Sequence, residues 1–240
     1  MDKERFLSSL ERDGGALAEA AAGNFEAGVP ACPDWNVRDL VEHTGEVHRF
    51  WGQIAERRLH DYHDAERVSA PPEAELLDWY RAGLDHLVDV LRGADPSTEV
   101  WSWSAQKDVA FIQRRMAQET AVHRWDAQSA TGSAQPIEPA LAVDGVDEFF
   151  FIFAPAEDEP LTGSGETIHL HSTDADGEWF VTLKPDGMEV EHDHEKGDVA
   201  VRASASDLLL LLWRRVGPSD VEVFGDADLL DRFLGWSDLE

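Results

Sequence analysis

The sequence predicts an α+β protein of two domains, an antiparallel four-helix bundle over residues 1–135 and a small α+β unit over 136–240. Three observations carry this expectation. Four long segments of helical periodicity fill the first half. After "TGSAQP" (131–136), short alternating segments separated by Gly and Asp turns take over. The apolar run "SASDLLLLLWRRV" (204–216) then reads as a helix buried against those strands.

The first amphipathic segment, about residues 2–22, carries Phe6, Leu7, Leu10 and Leu17. "VPACPDWN" breaks it, and Asn36 with Asp39 three residues later resembles a capping box that starts a second helix reaching about Arg57. A third helix is expected from about Pro72 to Leu91 and a fourth from about Lys107 to Ala130. Helices of this length with short connections suggest the bundle. In the second half, "EPALAVDGVDEFFFIF" (138–153) reads as a helix ended by Pro155. Strands are expected at "TIHLHST", "EWFVTLKP", "MEVEHDH" and "DVAVRAS". The apolar helix follows, capped by Ser204 or Ser206, then a short strand "VEVFG" and a terminal helix "DADLLDRFLGW".

Composition excludes several functions. The 20 basic and 49 acidic residues leave a net charge of −29, which repels phosphate backbones and anionic lipid. No partner among nucleic acids or membranes is therefore expected. The absence of a signal-like or membrane-length apolar run suggests a cytoplasmic protein. Cys32 is the single cysteine, so neither an intrachain disulfide nor a thiolate zinc site can form. It is read as a small buried filler rather than a nucleophile. A monomer and a homodimer are equally compatible with the chain.

The chemistry concentrates in "RRMAQETAVHRWDAQ" (114–128), where Glu119 and His123 lie one helical turn apart on the stripe that carries Ile112 and Met116. On the second helix, His43 falls on the stripe of Leu40, Val47, Trp51 and Ile54. A buried unpaired carboxylate is costly, and a divalent cation bonded by both groups removes the cost. Two imidazoles and one carboxylate form the ligand set of open catalytic zinc sites and also suit Fe(II). His48, about 140° round the helix from His43, is expected to line the cofactor pocket or support a ligand. Asp126 would either orient an imidazole or pair with Arg38, Arg49 or Arg124. Two further histidine pairs, His169 with His171 and His192 with His194, alternate along strands; such pairs can hold metal, but "EHDHEKGD" reads as a solvated hairpin end.

The segments "CPDWNVRDLVEHTGEVHRF" and "ETAVHRWDAQ" resemble the mycothiol-dependent maleylpyruvate isomerase family, as do "GDVAVRASASDLLLLLWRRV" and "VEVFGDADLLDRFL". The resemblance implies a DinB-like bundle followed by a sterol-carrier-like domain. It places the zinc ligands on His43, Glu119 and His123, and a functionally important arginine on Arg215. Family members commonly carry glycine before that arginine, where this chain has Arg214. The implied activity is isomerisation or S-transfer on a small electrophilic substrate, with mycothiol as co-substrate and Zn2+ or another divalent metal as cofactor. Arg215 would pair with a substrate carboxylate. Two rival readings keep the same residues: hydrolysis by metal-bound water, and non-catalytic binding of an apolar ligand.

Overall fold

The computed structural model describes residues 1–156 and 159–236, which form two compact units, Met1–Gln135 and Pro136–Glu240. The first is helical, with α1 (Lys3–Ala21), α2 (Val37–Arg57), α3 (Glu73–Gly93) and α4 (Val109–Ala130). Helix starts are chemically marked. Asp2 and Asp108 accept from the N–H groups of Arg5 and Phe111. At α2 the capping box is complete: Asn36 Oδ1 accepts from Asp39 N–H (3.0 Å), and Asp39 Oδ2 accepts from Asn36 N–H (2.9 Å).

The connections are longer than the periodicity suggested, running over 22–36, 58–72 and 94–108. Their length permits an arrangement that short turns would not: α1 packs chiefly on α4 and α3, and α2 on α3 and α4. Helices consecutive in sequence, α1 with α2 and α3 with α4, therefore sit across the diagonal. This brings α2 and α4, the two helices that bear the candidate ligands, side by side. Close approach of α2 to α3 depends on Gly45, where a Cβ would lie 2.3 Å from the Trp79 ring. The Arg49 guanidinium stacks 3.7 Å above that same ring.

Helix α4 is the central element. Most of it is buried, including Gln113, Arg115, Gln118, Arg124 and Asp126. Such polar groups are tolerated only with partners. Arg124 Nε donates to Asp13 of α1 (3.2 Å), both side chains being 4 % exposed. Gln113 donates to Leu91 O of α3 (3.0 Å).

The second unit holds a five-stranded sheet in the order β3-β2-β1-β4-β5, from β1 (Thr167–Ser172), β2 (Glu178–Lys184), β3 (Gly187–Glu191), β4 (Val199–Ala203) and β5 (Glu222–Gly225). All pairs are antiparallel except β1 with β4. Alternation sends Ile168, Leu170, Trp179, Val181, Val199 and Val201 to one buried face. Helix α6 (Ala205–Leu212), capped by Ser204, packs on β4 and β1 and on α5 (Pro139–Glu148). The terminal helix α7 is Ala227–Leu234. Contrary to the expectation of one helix to residue 153, α5 gives way at Glu148 to a π-turn over Phe149–Phe153 and a 3-10 turn over Ala154–Ala156. Around this wider turn, Phe149 and Phe153 both meet Trp213 while Phe150 stacks on Phe233.

Candidate metal centre

His43 lies in the second turn of α2, directly after the capping box, so the helix start and the ligand position are set by the same few residues. Glu119 and His123 lie one turn apart in the middle of α4. The three side chains converge, with one ligand atom from each within 4.8 Å of the others. His43 Nε2 is 3.6 Å from Glu119 Oε1, an electrostatic contact too long for a hydrogen bond. The rings of His43 and His123 meet edge to face, 5.2 Å apart.

The partners of these residues orient them. His123 Nδ1 lies 3.1 Å from Asp126 Oδ2, and Asp126 is fully buried. With Nδ1 donating to that carboxylate, Nε2 keeps its lone pair for a cation. Trp35 packs against His43 with ring centroids 4.9 Å apart, and it is held there because Val29 N–H donates to Trp35 O (2.9 Å). Arg115 Nε is 3.5 Å from Glu119 Oε2, one turn back on α4. Burial alone would raise the Glu119 pKa, but the attraction of His43, Arg115 and His123 outweighs it and holds the carboxyl down at about 2. Glu119 is thus ionised and ready to bind a cation.

His48 stands apart from this cluster. It is 1 % exposed, its Nε2 is 2.8 Å from Thr120 Oγ1, and its ring lies against Tyr80. Burial pushes its pKa down to about 3, so it is a neutral ring inside the bundle. The buried stripe of α2 runs through Leu40, Val41, Thr44, His48, Trp51 and Ile54, whereas the His43 side chain is 39 % exposed. Of the expected stripe, Leu40, Trp51 and Ile54 are buried, while His43 and Val47 are half-exposed beside Thr44 and His48, which take the inward positions. The difference matters, because a side chain at the edge of the buried face leaves the cluster accessible to a further molecule. Arg215 lies in the second unit, just after α6, with its N–H donating to Leu210 O and its Nη1 to Trp213 O, both at 2.8 Å. Arg214 before it adopts φ = 56°, the left-handed conformation that favours glycine.

Sequence reasoning gave no role to Arg115, Thr120 or Trp35. For Arg115 a signal existed, since it precedes Glu119 by four residues on one helix. Thr120 and Trp35 reach the site only through the packing of α2 on α4 and the fold of the 22–36 connection.

Comparison with known proteins places this arrangement. Residues 7–128 match the family model of the mycothiol maleylpyruvate isomerase N-terminal domain, and residues 140–232 match that of the C-terminal domain. The chain belongs to the mycothiol maleylpyruvate isomerase family. Two solved structures are similar in fold: a mycothiol-dependent maleylpyruvate isomerase (13 % identity) and a histidine-to-alanine mutant of it (12 %). Each match has a TM-score of 0.61 and covers 93 % of both chains. No curated protein matches the chain. As in the family, a helical domain of four long helices precedes a smaller domain of sheet and helices. Among the described residues, no helix is long and apolar enough to cross a membrane.

Proposed function

We propose that this family member is a zinc-dependent enzyme that uses mycothiol to isomerise, or to transfer sulfur to, a small electrophilic substrate. The observation that carries the reading is the convergence of His43, Glu119 and His123 at a partly exposed edge of α2 and α4, with His123 oriented by Asp126. The donor set fits the metal. Two imidazoles and a carboxylate match three-ligand catalytic zinc sites, whereas structural sites are closed by four protein ligands. When bound, zinc supplies a positive charge that lowers the pKa of a coordinated thiol, so that it is ionised at neutral pH.

The chain's own residues have definable tasks. His43, Glu119 and His123 hold the cation. Asp126 accepts a hydrogen bond from His123 Nδ1–H and so fixes the tautomer, while His43 and Arg115 favour the ionised form of Glu119 in the absence of metal. His48 and Thr120 form a neutral hydrogen-bonded pair that maintains the spacing of α2 and α4 beside the ligands. Arg215 is assigned to a carboxylate of the substrate, on the strength of the family resemblance. No side chain of the protein has to act as nucleophile, since the thiol is brought by the co-substrate.

Metal analysis combined with a mycothiol titration tests this directly. Wild type should hold zinc at the triad and bind mycothiol, and His43→Ala should lose both while keeping its helical circular dichroism. Turnover of maleylpyruvate without net thiol consumption indicates isomerisation, and stoichiometric consumption indicates S-transfer. Metal-dependent turnover with no thiol present would replace the proposal by hydrolysis, and folded wild type that takes up no zinc at the triad would end it.

A further inference from the structure

A second histidine cluster lies on the sheet of the C-terminal unit. His169 and His171 are two residues apart on β1 and so share one face, opposite to the face that carries Ile168 and Leu170. Glu178 of β2 is the register partner of His171. His194 arrives from the connection between β3 and β4. The Glu178 carboxylate receives all three rings: His169 Nε2 at Oε2, and His171 Nδ1 (2.5 Å) and His194 Nδ1 (2.9 Å) at Oε1. One ligand atom from each of the four residues lies within 4.8 Å of the others.

The path of the 192–198 connection explains how His194 gets there. Strands β3, β1 and β4 all run in the same direction, so the chain leaving β3 must pass β2 and β1 to reach β4. That is three strand spacings, about 14 Å, and the connection has length to spare. Both of its ends are fastened. His192 Nδ1 lies 3.1 Å from Glu178 O, and its Nε2 lies 3.4 Å from Asp147, which also accepts from Trp179 Nε1 (2.8 Å). At the other end, Asp198 Oδ2 accepts from Thr167 N–H (2.8 Å) and from the Thr167 hydroxyl (3.0 Å). Gly197 lies so close to β1 that a Cβ would fall 3.0 Å from His169 N. His194 is held over the other three residues between these two anchors.

From this geometry we infer that His169, His171, Glu178 and His194 form a second metal site, which takes a divalent late transition cation such as zinc and clips the 192–198 strap to the sheet. Three imidazoles and a carboxylate suit zinc, nickel or copper and are too nitrogen-rich for magnesium or calcium. Four protein ligands close a tetrahedral site, so its role is structural, in contrast to the three-ligand triad of the bundle. Ligand atoms of a tetrahedral zinc site stand about 3.3 Å apart. The contacts to Glu178 therefore open by less than about 1 Å when the ion enters.

Tag-free, chelator-stripped protein titrated with zinc alone tests the inference, with bound metal counted after gel filtration. Wild type should bind two equivalents. His43→Ala/His123→Ala, which removes the bundle triad, should retain one. Adding His194→Ala, a change at a largely exposed side chain, should weaken that remaining site by more than about tenfold. Zinc should also raise the melting temperature of the double variant and leave that of the triple variant unmoved. A folded double variant that binds no zinc at micromolar concentration overturns the second site, as does one whose binding is indifferent to His194→Ala. Loss of the bundle equivalent alone would instead count against the proposed enzyme function, so the two failures are distinguishable.

Discussion

At the scale of single residues, the triad owes its shape to groups outside it. Asp126 is buried and faces His123 Nδ1, so it decides which ring nitrogen is available. Asp126→Asn should fold and lose zinc affinity by about 10- to 100-fold, measured by competition with a chromophoric chelator. Unchanged affinity would remove Asp126 from the site. His48 makes a different prediction. Its pKa is about 3 in the folded state against an ordinary value of 6.5, so between these limits the unfolded chain binds the proton and the folded chain does not. Folding stability therefore falls as pH drops from 6.5 toward 3, by up to about 1.4 kcal/mol per pH unit from this ring, and nothing is lost above that window. Urea unfolding between pH 7 and 4.5 should show the slope in wild type and a smaller one in His48→Leu. Equal slopes would mean that other groups cause it. The sequence alone pointed to His43 as the ligand candidate, but not that His48 is sealed against Thr120 while His43 stays partly exposed. The two lie on different sides of one helix, and only the partner helix distinguishes them.

At the scale of elements, what was most legible was local. The Asn36–Asp39 capping box, the start of α4 after Asp108 and the Ser204 cap of α6 are interactions within three residues, and each occurs where the chain has the chemistry for it. Asn36→Ala should cost about 1 kcal/mol, seen as a lower urea midpoint with an unchanged slope. Because α2 starts there, the same variant should also bind zinc less tightly through fraying next to His43. A stability loss with intact metal affinity would separate the cap from the site. The end of α5 was not legible in this way. "FFFIF" continues a helical pattern, yet the chain widens into a π-turn where those rings meet Trp213 and Phe233, partners distant in sequence. Arg214 is a related case. Its left-handed backbone is the conformation glycine adopts without cost, so an arginine holds it here against its local preference.

At the scale of the whole molecule, charge is the dominant collective property. A net charge of −29 on 240 residues repels itself wherever the chain is compact. Raising salt from 10 to 150 mM shortens the screening length from about 30 Å to about 8 Å, and the melting temperature should rise by several degrees. A flat or falling trend would show that exposed attractive pairs such as Arg202–Glu222 outweigh the repulsion. The two residue clusters fall in different units. All three triad ligands belong to Met1–Gln135, and all four residues of the sheet cluster belong to Pro136–Glu240.

The sequence by itself determined the helices, most strand positions, the caps, and the pairing of Glu119 with His123. These depend on spacing within one or two turns, which the chain carries in its own order. Tertiary structure decided the rest. The diagonal placement of consecutive helices set α2 beside α4, which buries His48 against Thr120 and leaves His43 partly exposed. The strap over the sheet joined His194 to His169, His171 and Glu178, where the sequence showed only two separate histidine pairs, His169 with His171 and His192 with His194. Contacts of this kind join residues far apart in the chain, and no local period records them.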